Sequence, residues 1–190
     1  MIIPAKLPGR GEVKQIAFVP HDFDGALRFW IERMGVGPFF LLEHLPYRNV
    51  VYRGKPIEID VSVALSYWGE LQIELILQHN EDVVSGYTEP NIARREGLHH
   101  MLVESDRVDD LHAAWLAQGA NELMTGTVPN AGRFIYLETG DGGPHVELVH
   151  LDPHFYRLFD YIREQARVWD GTDPIRSLPD ESVWNAAQIP

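Results

Sequence analysis

The chain has 190 residues, of which 45% are apolar and 23% charged, enough to bury a real core in one domain or two small fused units. Its 28 acidic residues against 16 basic ones leave a net charge of −12, and the basic residues are scattered, which excludes a nucleic-acid partner. There is no cysteine, so disulfides and thiolate metal sites are excluded too, and any ion must be held by oxygen and imidazole donors.

The first residues, MIIPAKLPGRGEVK, show no charged patch followed by an apolar stretch of signal length. No apolar run approaches the roughly 18 residues that a membrane span needs, so the expectation is a cytoplasmic protein without a membrane partner. A short β-rich run at 14–19 comes next. Residues 23–34 place Phe23, Ala26, Leu27, Trp30, Ile31 and Met34 at helical spacing, with Asp22 to cap the start and Gly35 the end. Strands are predicted near 38–45, 57–66 and 70–78, broken by Pro46 and Gly69. Residues 79–97 have Gly, Pro and charge but weak periodicity, and read as a linker that doubles as a lid.

The pattern then repeats: a strand at 98–104, a helix at 107–118 ended by Gly119, and strands near 120–125, 132–138 and 144–150. The repeat can be checked residue by residue. At an offset of 85, Gln15 meets His100, Asp24 meets Asp109 and Trp30 meets Trp115, with apolar positions coinciding between. At an offset of 73, Ile73-Glu74-Leu75-Ile76 meets Val146-Glu147-Leu148-Val149, so the second unit is twelve residues shorter (85 − 73). This gives a βαβββ module at 13–78, the linker or lid at 79–97, a second βαβββ module at 98–151, and a helix with an extended tail at 152–190. In that last part Asp152-Pro153 starts a helix carrying Phe155, Leu158, Phe159 and Ile162 as a stripe, followed by Ile175, Leu178 and Trp184 as docking anchors. The stripe calls for cover by the body or by a second copy, and a homodimer is expected.

Polar residues interrupt otherwise apolar strands at equivalent places in the two modules. Gln15 and His100 share one position, and Glu74 and Glu147 another. A carboxylate amid Ile, Leu and Val is costly to bury unless it is paired, hydrogen-bonded or metal-bound. If the modules pack with pseudo-twofold symmetry, the four side chains meet at one point and leave open positions for substrate. Any one of them alone reads as an ordinary strand residue; only the set asks for a shared cause. His99 sits beside His100 and alternates away from it, and the remaining histidines, His44, His79, His145 and His154 among them, lack the symmetry.

With Gly97-Leu98-His99-His100 and Val146-Glu147-Leu148-Val149 in view, the chain resembles the vicinal-oxygen-chelate (VOC) superfamily over about residues 13–150. Glyoxalase I, methylmalonyl-CoA epimerase, extradiol dioxygenases and antibiotic-resistance binding proteins belong to it. The resemblance implies an α+β fold, two tandem βαβββ modules forming a curved, cup-like mixed sheet around a metal site, plus here a C-terminal helix. It implies one divalent ion (Zn, Ni, Co or Mn) on Gln15, Glu74, His100 and Glu147, the Gln, Glu, His, Glu set being that of the eukaryotic type of glyoxalase I. Glu147 and Glu74 are the implied proton-transfer residues.

The implied reaction is proton abstraction α to a carbonyl of a small molecule with two vicinal oxygens, as in a lyase, isomerase or epimerase. An extradiol dioxygenase needs a second histidine where Gln15 stands, and a resistance-type binding protein would not need the quartet. No glutathione-binding set of basic residues is evident. Tyr67, Trp68 and Phe134, with Tyr47 and Phe39, are candidates to line the substrate cleft, and Arg94, Arg95 and Arg133 lie in predicted loops.

Overall fold

The computed structural model describes residues 12–89, 97–129, 131–140 and 143–186. Arg94 and Arg95, part of the linker, and the side chain of Trp184 lie outside the described residues. In chain order the elements are β1 (Glu12–Phe18), α1 (Phe23–Arg28, running on as a π-helical turn, Phe29–Arg33), β2 (Phe39–Leu42), β3 (Arg48–Tyr52), β4 (Lys55–Pro56), β5 (Val61–Trp68) and β6 (Leu71–Gln78). They continue as β7 (Leu98–Glu104), α2 (Val108–Ala117), β8 (Asn121–Val128), β9 (Gly132–Glu138), β10 (His145–Val149), α3 (Pro153–Arg167), β11 (Ile175–Ser177) and α4 (Glu181–Ala186). No helix among the described residues is long and apolar enough to cross a membrane.

The eleven strands among the described residues form one curved, unclosed mixed sheet in the order β11-β2-β5-β6-β1-β7-β10-β9-β8-β3-β4. The repeat reappears in its register. Gln15 pairs with Leu102 and Ala17 with His100 across the central antiparallel pair, and shifting either pair by 85 returns the other. On the flanks, Ala17 lies beside Glu74 and Leu102 beside Glu147, again equivalent positions.

Each half carries its helix on the outer face. Asp22 caps α1 by accepting from the Gly25 amide at 2.9 Å. The apolar stripe Leu27 and Trp30 packs on Ala64, Ile73 and Leu75. In the second half, Leu111 meets Ile135, Leu137, Val146 and Leu148 in the same way.

The expected strand at 57–66 begins only at Val61, and a hairpin, β3 and β4, precedes it. This hairpin belongs to the first module by sequence but pairs with β8 of the second. Residues 43–47 therefore cross the mouth between β2 and the far edge, a reach of roughly 20 Å at most for so short a link, which curls the sheet into a cup. Much of the first module's extra length is spent here. The tail also pairs: β11 adds to β2 in parallel, Ile175 beside Phe39.

Helix α3 lies inside the cup. Asp152 caps it with a 2.9 Å bond from the His154 amide, and Pro153 occupies the first turn. Leu158 and Ile162 bury against Phe40, Leu42, Val63 and Leu65 on the inner face of the first half. The stripe is thus covered within the chain, and it no longer calls for a second copy.

Candidate active site

Because β1, β6, β7 and β10 lie side by side at the centre of the sheet, period-2 alternation puts Gln15, Glu74, His100 and Glu147 on the inner face together. The structure brings all four to one point. His100 is fully buried, and its Nε2 lies 3.1 Å from Glu147 Oε2, 3.5 Å from Glu74 Oε2 and 3.4 Å from Gln15 Oε1.

Two hydrogen-bond chains fix the orientation of the donors. His99 Nε2 lies 2.9 Å from the Gly86 carbonyl, which can only accept, so that nitrogen carries the proton. His99 Nδ1 is then the acceptor in its 2.9 Å contact with His100 Nδ1. His100 consequently holds its proton on Nδ1 and turns a bare Nε2 lone pair toward the carboxyls. On the other side, Gln15 Nε2 donates to Gln72 Oε1 at 2.6 Å, leaving the Gln15 carbonyl oxygen to face the same point. Outer partners of this kind are what set tautomer and ring angle in metal sites.

Electrostatics follow from burial. The Glu147 carboxyl is pushed up to about 8, chiefly by burial, although a hydrogen bond from Tyr136 works the other way. Burial, and then the Glu147 charge, raises Glu74 well above the usual carboxylate range. His100 is lowered to about 3 by burial and then by nearby His145, so its imidazole is neutral. Among the described residues, no lysine or arginine lines the cavity. Three oxygens and one unprotonated nitrogen, with two carboxyls ready to ionise, are a donor set that fits a divalent ion.

The cavity beside the quartet is walled by Leu42, Val63, Leu65 and Phe134 from the sheet and by Phe155 and Phe159 from α3. Phe134 faces it because Gly126 opposite has no side chain: a Cβ there would come 2.6 Å from the ring. The volume is about 80 Å³, below the roughly 150 Å³ that admits benzene in an engineered cavity, so the enclosed space takes a group smaller than benzene and a larger molecule has to extend beyond it. Tyr67 and Trp68 are not among the lining residues. The Tyr67 hydroxyl accepts from Gln72 Nε2 at 3.1 Å, and Trp68 is half exposed against Trp30. Phe39 is turned to the outer face, and Arg133 pairs with Asp109.

The linker contributes more than a connection. Its Tyr87 is buried in the cup and bonds Tyr136 at 3.1 Å and Tyr47 at 3.4 Å, with Tyr136 reaching Glu147. Burial raises all three phenols, so they remain protonated donors. The sequence reading missed Tyr87, Tyr136, Gln72 and His99 as parts of the site. Gln72 and His145 were nonetheless visible in the repeat, because they match each other at the offset of 73.

A sequence model of the glyoxalase/bleomycin resistance protein/dioxygenase superfamily matches residues 14–137. The chain belongs to that superfamily. No curated protein matches it by sequence. Among solved structures, a hypothetical protein from Bacillus halodurans superposes with TM-score 0.55 at 16% identity, over 73% of this chain and 92% of that one. Methylmalonyl-CoA epimerase of Streptomyces coelicolor, in complex with 2-nitronate-propionyl-CoA, gives 0.51 at 17% identity, over 75% and 96%. A mutant 4-hydroxymandelate synthase of the same organism gives 0.52 at 16% identity over 76% of this chain but 40% of its own, so this chain spans less than half of that enzyme. At such identities the likeness is one of VOC fold.

Proposed function

We propose that this VOC protein is a metal-dependent enzyme of the glyoxalase or epimerase type, removing a proton α to the carbonyl of a small molecule with two neighbouring oxygens. The observation that carries the proposal is the convergence of Gln15, Glu74 and Glu147 oxygens on the bare Nε2 of fully buried His100. In this reading the four residues hold one divalent ion (zinc, nickel, cobalt or manganese), which when bound polarises the carbonyl and acidifies the neighbouring carbon.

The chain's own residues supply the rest. Glu147 takes the proton, at a carboxyl that burial tunes toward neutral pH. Tyr136 holds Glu147 in place. Tyr47, which also lines the cavity, offers a phenol proton to a substrate oxygen. Glu74 faces Glu147 from the other half: one base working alone shifts a proton between adjacent carbons, whereas two bases on opposite faces invert a centre. The apolar wall and α3 exclude water, and the apolar side chains of the described lining, Leu42, Val63, Leu65, Phe134, Phe155 and Phe159, favour a substrate whose buried part is uncharged. One histidine in the quartet, not two, disfavours the iron site of an extradiol dioxygenase.

The test is exchange of the α hydrogen in deuterated water, screening 2-hydroxy ketones, hemithioacetals and 2-methyl acyl thioesters. Glu147→Gln is expected to abolish exchange while retaining metal. Glu74→Gln abolishes it only if the reaction is an epimerisation. Undiminished exchange in the Glu147 variant would move the role elsewhere.

A further inference from the structure

Three neighbouring strand ends of the first half meet at the rim of the cup, away from the quartet. His44 follows β2, Asp60 precedes β5 and His79 follows β6. One ligand-type atom from each lies within 4.8 Å of the others. His44 Nδ1 is 2.7 Å from Asp60 Oδ1, and the two imidazoles stack at 4.6 Å between centroids, 28° apart.

The cluster is built into the backbone. The His44 amide donates to Ser62 Oγ at 3.0 Å, and the same oxygen lies 2.7 Å from His79 Nε2. The Asp60 amide is tied to Asn80 Oδ1 at 2.9 Å, and the His79 amide to the Asp60 carbonyl at 2.8 Å. His44 is held at φ 50°, a left-handed conformation that costs a non-glycine residue about 1 kcal/mol or more. An exposed His–Asp pair repays little of that cost, since such pairs are worth roughly 0 to 1 kcal/mol. A bound cation uses all three side chains at once.

We propose that His44, Asp60 and His79 form a second, solvent-facing site for a divalent transition ion, distinct from the buried quartet. Two imidazoles and one carboxylate suit zinc, nickel, cobalt or copper better than magnesium or calcium, with water completing the shell. The site staples the crossing segment 43–47 to β5 and β6. Leu45 and Tyr47 on that segment line the cavity, so an ion at the rim stiffens the mouth.

The test is zinc titration of the full chain by calorimetry, beginning from chelator-treated protein. Wild type is expected to show two classes of site. His79→Ala and Asp60→Asn should each weaken one class by at least tenfold, as should His44→Asn, in which asparagine still tolerates the left-handed backbone. His100→Ala should retain that rim class and lose the other, so failure of the buried site and failure of the rim site are read separately. Circular dichroism and melting without zinc show whether each variant folds. The proposal is overturned if folded rim variants bind zinc as wild type does, or if wild type shows a single class that His100→Ala removes.

Discussion

Ala17 lies beside Glu74 in the first half of the sheet and Leu102 beside Glu147 in the second, so the two halves share one register. What covers them differs. The inner face of the first half is closed by α3 through Leu158 and Ile162, an element the repeat does not contain. The second half is covered by the start of α3, where Phe155 and Phe159 pack on Leu102, Val149 and Leu151, and by the linker, whose Gly86 carbonyl fixes His99 and whose Tyr87 reaches Tyr136. The orienting chemistry divides the same way: an amide, Gln72, sets the ligand of the first half, and an imidazole, His99, sets that of the second. A duplicated frame therefore places the ligands symmetrically, while unrelated segments decide the shape, dryness and proton arrangement of the space between them.

Ligand removal should break this comparison most. His100→Ala is expected to lose most of the buried ion, read by elemental analysis after reconstitution and separation from the rim class. His99→Phe and Gln72→Leu should each weaken that ion by about 10- to 100-fold, the usual cost of losing an outer partner. A loss confined to one of them would show that the halves are unequal in holding it.

Covering comes next in size. Ile162→Ala, fully buried under the first half, should cost about 2–4 kcal/mol in denaturant unfolding. A value near zero would mean that α3 is not part of the folded core.

The pH dependence of chelator-treated protein tests the desolvated site. His100, lowered from 6.5 to about 3, binds fewer protons folded than unfolded, so its contribution to stability rises with pH up to about 6.5. Glu147, raised from 4.5 to about 8, binds more protons folded, so its contribution falls as pH rises from about 4.5 to about 8. The two oppose each other below about 6.5, and above it the Glu147 effect stands alone of the pair. Glu74, raised in the same way, adds to that fall, so stability should drop by at least about 2 kcal/mol between pH 6.5 and 8, and a divalent ion should abolish the drop. A melting temperature that is flat or rising over that interval would contradict the assignment.

The smallest effect is expected at the clasp on the linker. Arg53 binds Glu89 at 2.6 Å and Glu138 at 2.6 Å, but it is partly exposed, so Arg53→Ala should cost under about 1 kcal/mol. Its signature is faster hydrogen exchange in residues 79–89 with little change elsewhere.

The sequence by itself determined the duplicated frame and the four inward positions, because strand alternation and repeat offset are one-dimensional properties that survive without coordinates. Gln15 aligned with His100, and Glu74 with Glu147, before any contact was known. It did not determine which elements cross between halves. The β3–β4 hairpin looked like part of a loop because its pairing partner, β8, lies more than 60 residues away, and a two-residue strand such as Lys55–Pro56 has no period to read. Nor did it reveal the Gly86–His99–His100 chain or the grouping of His44, Asp60 and His79, which no repeat or spacing links. Those depend on distances between backbone segments that only the curvature of the sheet and the packing of the linker bring within hydrogen-bonding range.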